Sequence, residues 1–145
     1  MKPIPTIGIL IFRENFKEVL LVKNGQGSGH PTGIYGTPAG RIDQGETATQ
    51  AAIRELKEET GLEALEKDLV KLPYDFGVTE VLRKKGTIFC TWEIFICQKF
   101  TGEIRGENPE TKPQWIKASE VAKLWLVGKT AIAVLEGVKF LQLSS

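Results

Sequence analysis

Histidine is nearly missing from this chain: among 145 residues there is only His30. A metal site built on two or three imidazoles is thereby excluded. A Ser-His-Asp triad could draw only on His30, which sits in a glycine-rich stretch with no nucleophile-elbow sequence to partner it. Cysteine is scarce as well. Cys90 and Cys97 are an odd number of positions apart, on opposite faces of any strand that holds both, so they would not pair within it. With no CxxC and no cysteine framework, neither a disulfide scaffold nor a zinc site of the usual spacing is expected. Charge of one sign is not in excess: 19 Lys and Arg against 18 Asp and Glu leave +1, which argues against a basic nucleic-acid surface, and no stable nucleic-acid complex is expected. No apolar run approaches the ~20 residues that cross a bilayer. No small-residue cleavage site follows the apolar run at 7–12, so neither a span nor a signal peptide is expected and the cytoplasm is the default location. Hydrolytic chemistry in such a chain must come from carboxylates.

What is present reads as one ordinary globular domain over residues 1–145, with 41% hydrophobic and 26% charged residues. Residues 7–12 and 19–22 are β-branched apolar runs joined by a polar hairpin connection. Residues 24–36 hold five glycines and a proline and read as a surface loop. Residues 69–78 are strand-like with an interruption at Pro73. Residues 87–100 form the longest strand candidate, apolar on both alternate sets and therefore central. Residues 113–116 suggest a short strand, Ser119 caps a helix running into Trp125, and residues 130–143 read as a final helix. Strands mixed with two or three helices predict an α/β sandwich around a mixed sheet.

The clearest helix spans 47–60. Thr47 with Gln50 matches a capping box, good helix formers fill the interior, and Gly61 supplies the stop. Leu56, Ala52 and Ile53 form its apolar side. Glu55, Glu58 and Glu59 stand at i, i+3 and i+4 and share one arc of roughly 100°. Ala48 and Ala51 fall within or beside that arc, small side chains over which a metal ion and a phosphate would fit. Like charges at this spacing cost roughly 0.2–0.5 kcal/mol per pair on an isolated helix, a cost that a bound divalent cation would reverse. Mg²⁺ suits hard oxygen donors and leaves positions for water and phosphate, with Mn²⁺ as a substitute. Taken alone, ExxEE on a helix is more often a solvated acidic face.

The surrounding pattern changes that balance. From Gly40 the chain runs five residues to Glu46, seven more to Arg54, and then Arg54-Glu55-Leu56-Lys57-Glu58-Glu59-Thr60-Gly61-Leu62. This segment resembles the Nudix box at every fixed position, and Tyr35-Gly36-Thr37-Pro38-Ala39-Gly40 is similar to the strand that leads into it. The likeness covers most of the chain and marks it as a MutT-like member of the Nudix hydrolase family. The resemblance implies an α/β/α sandwich around a mixed β-sheet and Mg²⁺-dependent hydrolysis of a diphosphate linkage in a nucleotide-like substrate. It also implies that Glu55, Glu58 and Glu59 bind the metal, Arg54 orients them with Glu46 as its ionic partner, and Gly40 presents backbone to the metal site. Family members often use a glutamate outside the box as base or extra ligand; Glu110 is the first candidate and Glu107 the second, although each is more often an ordinary loop residue. Homodimers occur in the family, and the sequence leaves the oligomeric state open.

Other residues are weighed against plainer roles. Tyr35 either stacks on a base or packs at a strand end, and Arg41, beside Gly40, is a substrate-binding candidate. His30, Asn24 and Lys23 flank the glycine-rich loop and read first as surface residues. Arg83, Lys84 and Lys85 read as a solvated hairpin tip that could also draw in an anion. Trp92 and Trp125 read as packing residues. Outside the box, the run that marks the NADH branch is missing after Leu62, and Pro73 and Tyr74 lie only 11 and 12 residues beyond it, closer than in the ADP-ribose and diadenosine branches. The substrate is therefore left open. So are two other roles: a nucleotide-binding sensor without turnover, and an isomerase relying on Cys90 or Cys97.

Overall fold

The computed structural model describes residues 2–144. In chain order the elements are β1 (Ile4–Arg13), β2 (Glu18–Asn24), β3 (Tyr35–Gly36), β4 (Ala39–Arg41), α1 (Ala48–Thr60), β5 (Val70–Lys71), β6 (Val78–Arg83), β7 (Gly86–Cys97), β8 (Thr111–Lys117) and α2 (Thr130–Ser144). Short 3-10 helices lie at Glu66–Asp68 and Ala118–Lys123. The strands form one mixed sheet organised by β1. β1 pairs antiparallel with β4 over residues 6–8 and parallel with β7 over residues 4–11, and its C-terminal end forms a hairpin with β2. β2 in turn carries β3 and β8, while β5 and β6 extend the sheet beyond β7.

Side chains alternate across a strand, and on β1 both sets are apolar. Ile7, Ile9 and Ile11 face one layer with Leu20, Phe95 and Cys97, and α1 covers them through Ala51, Ala52 and Leu56. Leu10 and Phe12 face the other layer with Leu21, Ile94 and Ile96, and α2 covers them through Ala133, Val134 and Leu141. The result is the expected α/β/α sandwich. The two free cysteines are both buried, Cys97 on the α1 side and Cys90 in a small cluster with Ile34, Val81 and Val127.

Four local expectations change. Ala51 is fully buried in the core under α1 and is not part of a floor for ligands. Residues 69–78 do not form one strand: Val70–Lys71 pairs briefly with β7 before Pro73, which has no N–H for a ladder, and pairing resumes at Val78. The long strand ends at Cys97. The helix expected from Ser119 to Trp125 is only a 3-10 turn with no side-chain cap, and it leaves Trp125 54% exposed.

Candidate active site

Helix α1 is fixed at both ends by its own sequence. The Thr47 hydroxyl accepts from the Gln50 N–H at 3.2 Å, and the Gln50 side-chain oxygen accepts from the Thr47 N–H at 3.0 Å, completing the capping box. At the C-terminus Gly61 takes φ = 86°, a left-handed conformation that costs glycine nothing, and its N–H donates to the Lys57 carbonyl at 3.0 Å. With the apolar side pinned to the core, Glu55, Glu58 and Glu59 face β4. A Cβ on Gly40 would run into the Glu55 carboxylate, so glycine leaves room for that carboxylate where it now lies.

One guanidinium organises the carboxylates. Arg54 grips Glu46 with two bonds, Nε–Oε2 at 2.6 Å and Nη2–Oε1 at 2.9 Å. Its Nη1 donates to Glu55 at 2.8 Å and to Glu58 at 3.3 Å, its Nη2 reaches the Arg41 carbonyl at 3.1 Å, and Asp43 lies 3.4 Å away. Glu59 has no such cation. Its carboxylate accepts the Ala39 N–H at 2.8 Å. Burial, followed by repulsion from Glu55, pushes its pKa well above the usual carboxylate range. Burial also raises Glu55, against the pull of Arg54, whereas the bond from Arg54 lowers Glu46. Among the described residues no three His, Cys, Asp or Glu side chains converge as a metal cage. As they lie, Glu55 and Glu58 are turned onto Arg54 and Glu59 onto the Ala39 amide. The donor set itself suits a hard divalent cation: carboxylate oxygens of excess negative charge beside a glycine backbone.

A cavity of about 120 Å³ opens against this cluster. Glu59, Gly40, Arg41, Trp92, Cys90 and Arg83 are among the residues that line it. Of the expected substrate residues, Arg41 lies in its wall. Tyr35 does not; it packs partly buried against the α2-side core, with Lys23 Nζ 5.9 Å from its ring. Glu110 and Glu107 are exposed on the loop before β8, and neither side chain forms an ion pair or hydrogen bond among the described residues. The surface readings of three residues are revised. Asn24 is buried, its amide donating to the Ile34 carbonyl at 2.9 Å. His30 and Arg83 are half-buried and meet at the cavity wall. Trp92 packs half-buried against the core, as expected, and also lines the cavity. Arg105 escaped notice in the sequence: it donates to the Glu58 carbonyl at 3.1 Å and to the Thr111 hydroxyl at 2.5 Å, tying the end of α1 to β8. No local pattern marks an arginine in an irregular loop for that role.

These features define a carboxylate-rich metal-site candidate at the edge of an α/β/α sandwich, and comparison with known proteins places the chain in a family. The NUDIX domain model matches residues 2–135, and the chain belongs to that family. It is 35% identical over 117 residues to Nudix hydrolase 6 of Arabidopsis thaliana, covering 79% of this chain and 39% of that protein. It is 32% identical over 105 residues to an RNA pyrophosphohydrolase of Erythrobacter litoralis, covering 63% and 64%. It is 27% identical over 142 residues to an asymmetrical bis(5'-nucleosyl)-tetraphosphatase of Mus musculus, covering 92% of each. The chain thus spans well under half of the plant relative and just under two thirds of the bacterial one. The fold matches the crystal structure of a MutT NUDIX hydrolase from Burkholderia pseudomallei with a TM-score of 0.73 at 24% identity, over 94% of this chain and 98% of that one. No helix among the described residues is long and apolar enough to cross a membrane.

Proposed function

We propose that this protein hydrolyses a diphosphate linkage in a nucleoside diphosphate derivative or nucleoside triphosphate, using a divalent cation. The observation that carries this reading is Glu59: a half-buried carboxylate at the cavity edge, on the same helix face as Glu55 and Glu58, that forms no ion pair among the described residues. The pyrophosphohydrolase and tetraphosphatase names of two relatives support the same bond type.

Glu55, Glu58 and Glu59 would hold Mg²⁺ or Mn²⁺, together with the main chain at Gly40. When bound, the cation supplies neutralisation of the diphosphate oxygens and easier deprotonation of water. The protein's own groups do the rest. Arg54, anchored by Glu46, fixes the rotamers of Glu55 and Glu58. The Ala39 N–H fixes Glu59. A glutamate accepts the proton as the water oxygen bonds to phosphorus; the bridging P–O bond breaks and its electron pair leaves on the departing phosphate. Glu110 is proposed as the additional carboxylate, with Glu107 second. The residue next to Glu110, Thr111, is tied to the end of α1 by its hydroxyl, which donates to the Glu59 carbonyl at 3.3 Å. Burial pushes the thiols of Cys90 and Cys97 up, so neither is poised as the thiolate that an isomerase would want.

The test is phosphate release from nucleoside triphosphates, ADP-ribose, nucleotide sugars and diadenosine polyphosphates, with and without Mg²⁺, for wild type and Glu59→Gln. Turnover that needs metal and drops at least ~10²-fold in the variant is the expected result. Binding without turnover of any substrate would overturn hydrolysis in favour of a nucleotide-binding sensor.

A further inference from the structure

One arginine in the lining of the cavity is held in an unusual way. Arg83, at the end of β6, donates from Nη1 to His30 Nε2 at 3.1 Å. The other ring nitrogen of His30, Nδ1, lies 3.4 Å from the Leu82 carbonyl. A proton on Nδ1 satisfies that carbonyl and leaves Nε2 bare to accept from Arg83, so the two contacts agree on one neutral tautomer. Burial, then the charge of Arg83, lowers the His30 pKa and keeps the ring in that form.

The glycine-rich loop is shaped to this arrangement. The guanidinium occupies the space where a Cβ on Gly29 would stand. The Lys84 N–H donates to the Gly29 carbonyl at 2.8 Å, and Lys84 Nζ donates to the Gln26 carbonyl at 2.6 Å, clipping the loop to the β6–β7 turn. A surface arginine is usually steadied by a carboxylate, which cancels its charge. Here the partner is neutral and the charge is kept.

Arg41 faces the same cavity from β4. Neither Arg41 nor Arg83 forms an ion pair among the described residues, and Glu59 is the one carboxylate in the cavity wall. Arg41, Arg83 and the buried Cys90 line this one cavity together. Two unneutralised guanidiniums over a partly desolvated cavity make an anion site, and planar guanidinium forks favour phosphoryl oxygens.

We infer that Arg83, aimed by His30, is a substrate-binding residue that together with Arg41 selects substrates carrying a further phosphoryl group beyond the cleaved linkage. The class favoured is a nucleoside polyphosphate chain, not a nucleotide joined to a neutral sugar. The inference rests on the proposed hydrolase reading for its biological sense, but the anion site can be tested without turnover.

The experiment is calorimetric titration of inorganic tripolyphosphate into the whole protein in excess EDTA. Wild type is expected to bind, and Arg83→Gln to bind about tenfold or more weakly. Arg83→Lys, which keeps the charge and loses the fork, should fall between them and guards against a folding artefact. His30→Ala should weaken binding several-fold, and His30→Asn, which can still accept from the guanidinium, should recover part of it. Lys85→Gln, on the same turn but outside the cavity wall, should bind as wild type does. Equal binding by wild type and Arg83→Gln, or no binding by wild type, would overturn the inference. In turnover assays, preference for triphosphates and dinucleoside polyphosphates over nucleotide sugars should be lost in Arg83→Gln, mainly through KM. Absent turnover with tripolyphosphate binding intact would sink the hydrolase reading and leave the anion site standing.

Discussion

The two helices cover opposite faces of one sheet and are held there by different physics. Helix α1 buries Ala51, Ala52 and Leu56 on one side and crowds Glu55, Glu58 and Glu59 on the other, with one arginine to steady the first two. Helix α2 places Ala133, Val134, Gly137 and Leu141 against β1 and carries no part of the carboxylate cluster. On the α1 side electrostatics opposes stability: three like charges are kept together, Glu55 and Glu59 half-buried and Glu58 exposed. On the α2 side apolar packing against the sheet dominates. Substitutions on the two faces should therefore separate activity from stability.

The largest separation is expected at Glu59. Glu59→Gln keeps an oxygen to accept the Ala39 N–H and removes a half-buried carboxylate that burial and Glu55 both disfavour as an anion. Turnover should fall at least ~10²-fold while the thermal midpoint holds or rises. A lower midpoint would mean that Glu59 supports the fold, and the contrast between the faces would fail. The opposite pattern is expected at Gly137, where an added Cβ would lie 3.0 Å from Leu10 Cδ1 and 3.2 Å from the Phe12 ring. Leu10 and Phe12 are both fully buried and cannot move aside cheaply. Gly137→Val should cost about 1–3 kcal/mol by overpacking, read from urea denaturation, with kcat per folded molecule unchanged. A variant as stable as wild type would show that α2 can shift on the sheet.

The same contrast explains what could be read from the chain. Helix α1 announces itself because its caps, interior and stop are all local: Thr47, Gln50 and Gly61 act within a few residues of their targets. The Glu55-Glu58-Glu59 arc follows from helical spacing, and the bond from Arg54 to Glu46 from the motif. The hairpin of β1 and β2 and the central position of β7 follow from apolar runs. What escaped depends on distant partners. Arg83 and His30 are 53 positions apart and meet because β6 and the glycine-rich loop lie side by side. Arg105 finds Glu58 across 47 positions. Ala51 sits at the margin of the acidic arc, and only the sheet beneath it decides that it is core. The break at Pro73 was visible, but the restart of pairing at Val78 depends on β7.

Smaller effects sharpen the comparison within α1 itself. Arg54→Lys keeps a positive charge and cannot form the fork that holds Glu46 while also reaching Glu55 and Glu58. Residues that orient a metal-binding shell typically matter 10–100-fold, so kcat should drop about tenfold with a higher Mg²⁺ requirement. Unchanged metal dependence would mean that the glutamates orient themselves. The smallest effect is expected at Thr47, far from chemistry and partnered only by its own helix. Thr47→Ala leaves the Gln50 N–H without its side-chain acceptor and should cost about 1 kcal/mol of stability. If α1 acts as a rigid support already pinned by Leu56, kcat and the Mg²⁺ requirement should both stay at wild-type values. A parallel loss of turnover would instead show that the first turn of α1 transmits disorder to Glu55, and the separation between support and site would end inside the helix.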